Sequence, residues 1–306
     1  MTSTQYKHFI IAGTEKAGTT SVFSYLSGHP EIFPSRVKET DFFRQEHLGS
    51  NEDYLSYFEG CPSSEMVLME ASPGYLSEAE KVSGRLQAAL SEAKLLFILR
   101  DPVERLISSF RFHVGRLNID DTISLDEYVT KCFAYYRGEA TPEQLGIGKW
   151  YLQTLEQGLY AKKLSHFREM FPESQISVMF LDDLIRNTHA FMCSVCVFVG
   201  IDSSYFNNFT FHRENVTFFG KNKALHKAAI LVNNFFEPFF RKNPAVKRLL
   251  LSWYKTFNAS ESKLTPMSPS VRSQLEDFYL SDKEQLLSML GGSEKVSVRW
   301  LQGDIG

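Results

Sequence analysis

Two short stretches carry the residue types that hold phosphate-like anions. The first is Gly13-Thr14-Glu15-Lys16-Ala17-Gly18-Thr19-Thr20. It follows the apolar run His8-Phe9-Ile10-Ile11-Ala12 and precedes a segment with Val22, Phe23 and Leu26 on one helical face. Strand, glycine-rich loop and helix in that order make an anion site. Glycines let backbone N–H groups approach closely, and a helix N-terminus favours negative charge. Lys16 adds a cation, Ala17 and Gly18 add backbone donors, and Thr19 and Thr20 add hydroxyls. The G-x-x-x-x-G spacing is that of a P-loop, but Thr19 stands where a nucleoside-triphosphate loop has its lysine. The second stretch is Leu99-Arg100-Asp101-Pro102-Val103-Glu104-Arg105-Leu106-Ile107-Ser108. Arg100 leaves the end of an apolar run, where open α/β sheets bind ligands. Pro102 marks a helix start, and Ser108 lies two turns further on. A guanidinium fork with a hydroxyl suits a second phosphate. The plainer reading is a surface network of Asp101, Glu104 and Arg105. The run 95–99 ends in Arg100, not in the Asp that would hold Mg²⁺. The pair of stretches therefore suits a phosphate-bearing donor without a metal.

The elements that must position these residues follow from hydrophobic patterning. Residues 8–12, 66–69, 94–99 and 177–181 read as short buried strands. Residues 19–27, 78–91, 103–114, 151–171, 188–199 and 268–290 read as helices. Apolar strands alternating with helices predict a P-loop-like α/β fold: a central parallel sheet flanked by helices on both faces. A single domain over 1–306 is expected. Two stretches interrupt the rhythm: a polar insertion or lid near 115–149, and an aromatic, basic segment near 225–257 that includes Phe235-Phe236-Glu237-Pro238-Phe239-Phe240-Arg241-Lys242. The second reads as an amphipathic helix pair, or as an acceptor gate or interaction surface. Trp300 is expected to pack the tail down.

Bulk properties narrow the function class. The chain has 306 residues, a formal net charge of −3 and a charged fraction of 23%. That balance argues against a general nucleic-acid or membrane-surface binder, so an anionic ligand needs a local basic site. Four cysteines are too few for a disulfide scaffold. Cys193 and Cys196 form a C-x-x-C inside an apolar run, which predicts a buried helix rather than a metal site. His29, His113 and His212 lack spaced ligand partners and are expected at the surface or in packing. No signal peptide or membrane span is expected, and a cytoplasmic protein is the default.

The two stretches resemble those of the sulfotransferases that use 3′-phosphoadenosine 5′-phosphosulfate (PAPS). Glu15-Lys16-Ala17-Gly18-Thr19-Thr20 resembles that family's K-x-G-T-T loop, and Arg100 to Ser108 resembles its R-[DN]-P-x-[ED]-R-x-x-S motif. Lys38-Glu39-Thr40-Asp41-Phe42-Phe43, after His29-Pro30, is similar to the K-E-x-x-F-F segment of the heparan-sulfate and bacterial carbohydrate branch. Glu70-Ala71-Ser72-Pro73-Gly74-Tyr75 is similar to that branch's E-x-[ST]-P-x-Y. Gly158-Leu159-Tyr160, the Phe171-Pro172 boundary and Leu181-Asp182-Asp183-Leu184 also fit. The late S-K-G-R loop of the heparan-sulfate enzymes has its nearest match at Gly220-Lys221-Asn222-Lys223-Ala224-Leu225. There Lys223 carries over, and Lys221 compensates for the missing arginine. Ala71 stands where the heparan-sulfate 3-O branch has a lysine, which argues against a heparan-like polyanionic acceptor.

The resemblance implies a sulfotransferase fold, PAPS as co-substrate, the bisphosphate PAP (3′-phosphoadenosine 5′-phosphate) as product, and a saccharide or small-molecule acceptor. It implies no metal and no nucleic-acid partner. Lys16 is then expected to stabilise the leaving oxygen, and Ala17, Gly18, Thr19 and Thr20 to cradle the 5′-phosphosulfate. Arg100 and Ser108 would hold the 3′-phosphate, with Tyr160, Lys221 and Lys223 also on the donor. Glu39 is the expected general base, Lys38 stabilises its carboxylate or contacts the sulfuryl group, and Glu70 is a second acid on the acceptor side and the runner-up base. The competing readings are a P-loop kinase or NTPase, and a catalytically inactive PAP-binding protein of the same fold.

Overall fold

Strict alternation along the apolar runs decides how the sheet is covered. The computed structural model describes residues 6–212, 219–220, 223–236, 246, 250, 254, 258–260, 265–292, 296 and 298–302. Five parallel strands form one sheet: β1 (Lys7–Gly13), β2 (Ile32–Pro34), β3 (Val67–Ala71), β4 (Lys94–Leu99) and β5 (Ile176–Phe180), in the spatial order β2-β3-β1-β4-β5. One face carries Ile10, Ala12, Leu95, Phe97 and Leu99 and packs against the helices Ala79–Ala89 and Tyr160–Met170. The other carries Phe9, Ile11, Leu96 and Ile98 and packs against Thr19–Leu26 and Thr188–Val199. Each large apolar side chain buried this way stabilises the fold by about 1.5–3 kcal/mol. The expected α/β architecture is therefore the observed one.

The chain divides into two compact units. The first gathers the described residues of Met1–Leu106, Thr154–Glu214 and Ser273–Gly306, and it contains the five-stranded sheet. The second gathers those of Ile107–Gln153 and Asn215–Arg272. In the second unit the expected polar insertion is largely helical. Helix Leu125–Tyr136 starts at Ser124, whose side chain accepts the Glu127 N–H, and it buries Leu125, Tyr128, Val129, Cys132 and Phe133. Those apolar positions fall at helical spacing, a signal that the polar residues around them obscured. Helix Lys223–Phe235 covers the start of the aromatic segment, with Leu231 and Phe235 exposed. The Glu237 to Lys242 part of that segment lies outside the described residues.

Three further differences have local causes. β2 is three residues long, ends at Pro34 and lies at the sheet edge, where a proline is tolerated. It is too short to show a period. The expected helix 151–171 begins only at Tyr160, because the boundary is set by distant residues. Asp282 Oδ2 accepts the Ala161 N–H at 3.0 Å and Oδ1 accepts the Lys162 N–H at 3.2 Å, capping the helix. Just before it, a Cβ on Gly158 would lie 2.7 Å from Cε1 of Tyr279. His29 is a packing residue. It is buried, one ring nitrogen bonds the Asp202 carbonyl at 2.8 Å, and the other accepts the Glu31 N–H at 3.2 Å. Cys196 is buried within helix Thr188–Val199, and Trp300 packs against Phe180 and Tyr160, as expected.

Candidate functional site

Because β1 to β4 run parallel, their C-terminal ends share one edge of the sheet. The loop Thr14–Gly18 leaves β1 there, the Lys38–Asp41 loop follows β2, Glu70 to Ser72 close β3, and Arg100 leaves β4. The Thr14 N–H donates to the Ile98 carbonyl at 2.8 Å and fastens the loop to β4. Lys16 and Gly18 both take left-handed backbone conformations, with φ of 65° and 84°. A side chain on Gly18 would also put its Cβ 2.8 Å from Leu184 Cδ2, so only glycine fits there. The turn presents the Lys16 carbonyl to Arg100, whose Nη1 donates to it at 3.2 Å. Loop and guanidinium are thus clamped together. Gly18 caps helix Thr19–Leu26 without a side-chain acceptor, so the helix offers its positive end to an external anion. Ala17 is buried, Thr19 nearly so, and Thr20 half-buried.

The electrostatics are those of a cationic site short of anions. Burial pulls the Lys16 ammonium down to about 8, Arg100 and Lys38 push the same way, and Glu15 and Glu39 oppose them. Burial also lowers Arg100, against the charges of Glu104, Asp101 and Asp182. Lys38 Nζ lies 2.7 Å from Glu39 Oε1, and the Glu39 side chain is 52% exposed. The charge of Glu39 acts on both Glu15 and Lys16, so the loops after β1 and β2 meet at this edge.

The other expected site residues lie as follows. Glu70, read as an acid beside the acceptor, is 0% exposed. Its carboxylate is enclosed by the hydroxyls of Thr40, Ser72, Tyr75 and Tyr54, so it has no path to an acceptor. Tyr160, read as a donor contact, is buried, and its hydroxyl donates to the Arg100 carbonyl at 2.9 Å. Ser108 is half-buried on helix Pro102–Gly115. Lys223 opens helix Lys223–Phe235, while Lys221 lies outside the described residues.

Two residues went unrecognised in the sequence. Arg105 is 0% exposed rather than part of a surface network. Its Nη2 donates to the Thr154 carbonyl and, at 3.1 Å, to Thr154 Oγ1, and its Nη1 donates to Gln157 Oε1 at 3.3 Å. Its neighbours Asp101 and Glu104 gave it the look of a solvated charge. Glu15 is raised above the usual carboxylate range by burial, with Arg105 the main opposing charge and Glu39 adding to the rise. No pattern singled it out, because its half-buried setting comes from the loop fold. Among the described residues, no group of three or more His, Cys, Asp or Glu could hold a metal ion.

Comparison with known proteins now decides the family. The sulfotransferase-domain family matches residues 6–257. The chain belongs to the sulfotransferase family. Its relatives include the membrane-associated sulfotransferase kil1 of Dictyostelium discoideum, 38% identical over 109 residues, covering 35% of this chain and 23% of that one. The bifunctional heparan sulfate N-deacetylase/N-sulfotransferase 2 of Homo sapiens is 27% identical over 202 residues, covering 63% of this chain and 22% of that one. Carbohydrate sulfotransferase 15 of Rattus norvegicus is 25% identical, covering 63% and 44%. The chain thus spans less than half the length of these relatives. A sulfotransferase from Alicyclobacillus acidocaldarius superposes with a TM-score of 0.62 at 22% identity, covering 93% of this chain and 96% of that one, and so shares the fold. Family membership sets aside the kinase or NTPase reading. No helix among the described residues is long and apolar enough to cross a membrane.

Proposed function

We propose that this sulfotransferase moves a sulfuryl group from PAPS to a hydroxyl or amine of a saccharide or small polar metabolite. The observation that carries the reading is the clamp between the Lys16 carbonyl and the Arg100 guanidinium. It sets two cations together beside an uncapped helix N-terminus, at the C-terminal edge of the sheet. Burial opposes both charges, so a bound polyanion relieves them. The residues therefore fit a bisphosphorylated donor.

In the reaction, the bond from sulfur to the donor phosphate oxygen breaks and the bond from acceptor oxygen or nitrogen to sulfur forms in line. Lys16, the loop N–H groups and the hydroxyls of Thr19 and Thr20 stabilise the charge that builds on the leaving oxygen. Arg100 and Ser108 hold the 3′-phosphate and set the donor's register. Glu39 takes the acceptor proton and Lys38 orients its carboxylate. A saccharide acceptor is supported by relatives named for heparan sulfate and carbohydrate. Ala71, standing in place of a lysine, favours one with little negative charge. None of the four cysteines forms a disulfide, which supports a reducing, cytoplasmic setting.

The test is transfer of label from ³⁵S-PAPS to a panel of desulfated saccharides and hydroxylated or aminated metabolites. Wild type labels at least one acceptor class. Glu39→Gln lowers turnover by about 10²–10⁴-fold and keeps donor binding. Donor binding with no transfer to any acceptor marks an inactive member of the family. Glu39→Gln turnover within a few-fold of wild type removes Glu39 from the role of base.

A further inference from the structure

Glu70 is a carboxylate in the middle of a parallel sheet, paired with Ile10 of β1, and the reaction just described gives it no task. Burying a charge there is costly unless it is fully hydrogen-bonded. Ser72 Oγ donates to Glu70 at 2.8 Å and accepts the Asp41 N–H at 3.1 Å. Thr40 Oγ1 donates to Glu70 and accepts the Phe42 N–H at 3.3 Å. Tyr75 donates to Glu70 at 3.1 Å and accepts the Phe43 N–H at 3.4 Å. Three successive amides of the loop thus rest on three hydroxyls, each within donating distance of the same carboxylate, and the Thr40 and Tyr75 hydroxyls also lie 3.2 Å apart. Tyr54 donates a fourth bond at 3.3 Å. On the other side of Glu39, the Ala71 N–H donates to the Lys38 carbonyl at 3.0 Å.

We propose that Glu70 is the positioning residue for the Lys38–Phe43 loop: as a carboxylate it orients the hydroxyls of Ser72, Thr40 and Tyr75, these fix the amides of residues 41–43, and the loop so held aims Glu39. The step from loop to catalysis rests on the reading of Glu39 as base. The polarity of the relay is specific. An ionised Glu70 only accepts. A protonated Glu70 carries a hydrogen of its own, so one hydroxyl must turn its hydrogen away, as Thr40 can toward the Tyr75 oxygen at 3.2 Å, and accept from the acid and its amide at once, which weakens its hold on that amide.

Burial pushes Glu70 up to about 7, while the bonds from Thr40, Ser72, Tyr75 and Tyr54 pull it back. The relay is therefore set to loosen on mild acidification. The other ionisable groups around it are Tyr54 and Tyr75, both raised further by burial and neutral in this range. His8 of β1 packs on Tyr54 with ring centroids 5.9 Å apart. On the loop itself, Arg44 pairs with Asp41 and Glu78, Lys38 pairs with Glu39, and Arg85 donates to the Phe43 carbonyl. The stability effect has the opposite sign. With its folded value raised, Glu70 favours the fold below the unfolded value near 4.5, and that contribution is lost as pH rises through about 7. Order in the loop rises over the same range.

The experiment pairs turnover with amide exchange. Wild-type transfer from ³⁵S-PAPS is measured first, so that absence of any transfer tells against the activity and not against the relay. Hydrogen exchange at residues 41–43, corrected for intrinsic rates, then reads the relay without an acceptor. From pH 8 to 6 the ionised fraction of Glu70, and with it the protection, should fall about tenfold. In Glu70→Gln protection should be low and independent of pH, which also excludes His8 as the source. Turnover of Glu70→Gln should drop about 10²-fold, the cost of a misaimed group, with PAP affinity within threefold. Thr40→Val, which removes one link and keeps the shape, should lower turnover about tenfold and serves if Glu70→Gln does not fold. Constant wild-type protection from pH 8 to 6, or a Thr40→Val enzyme with wild-type turnover, overturns the proposal.

Discussion

Donor affinity should fall as pH rises above neutrality, and Lys16 sets the size of the effect. Its ammonium is held down to about 8 in the free protein, chiefly by burial, with Arg100 and Lys38 adding to the fall. The protonated fraction is then about 0.9 at pH 7 and about 0.1 at pH 9. Bound phosphate favours the charged form and returns Lys16 toward its ordinary range. The second ionisation of a phosphate monoester lies near 6 and is complete over this window, so it adds no slope. The apparent Kd for PAP should rise about tenfold between pH 7 and 9, or about 1.4 kcal/mol. Isothermal titration calorimetry at pH 7, 8 and 9 reads this directly. Lys16→Arg does not titrate here and should show a flat profile. The free protein should behave oppositely. With Lys16 lowered from 10.5, the unfolded chain binds the extra proton, so this group's contribution to stability grows as pH climbs from about 8 toward 10.5. A wild-type Kd constant within twofold, or an equal slope in Lys16→Arg, refutes the reasoning.

Two further predictions concern how the scaffold holds the site. Asp282→Ala removes both caps from helix Tyr160–Met170 and should cost about 0.5–2 kcal/mol, seen as a lower urea midpoint. It should also weaken PAP binding, because that helix starts at the tyrosine that holds the Arg100 carbonyl; an unchanged midpoint contradicts the capping role. Gly158→Ala forces the Tyr279 ring away and breaks its 3.1 Å bond to the Leu155 carbonyl, so it should cost about 1–3 kcal/mol by the same measurement.

The sheet was largely legible in the sequence, because strands buried on both faces are nearly continuous apolar runs. His8–Ala12 and Lys94–Leu99 show this plainly, whereas Ile32–Pro34 is too short to show any pattern. The glycine-rich loop after β1 was legible for a related reason. Glycines and a lysine between a strand and a helix have few uses, and the left-handed turns at Lys16 and Gly18 follow from that chemistry. Long-range partners were not legible. Nothing near Tyr160 announces that Asp282, 121 residues beyond Ala161, will cap its helix. Glu70 and Arg105 were misjudged because a charge in sequence looks solvated. Their burial depends on hydroxyls and carbonyls supplied by residues distant along the chain. Helix Leu125–Tyr136 was the avoidable miss, since its cap and its spacing are both local.

The most direct test of the donor site is metal-free calorimetry of PAP against ADP, with Mg·ATP as the contrast, on wild type and Arg100→Ala. The proposed site predicts that wild type prefers the 3′,5′-bisphosphate without metal, and that Arg100→Ala loses most of the preference over ADP. Binding of Mg·ATP in preference to PAP, or an Arg100→Ala protein that still discriminates fully, would contradict it.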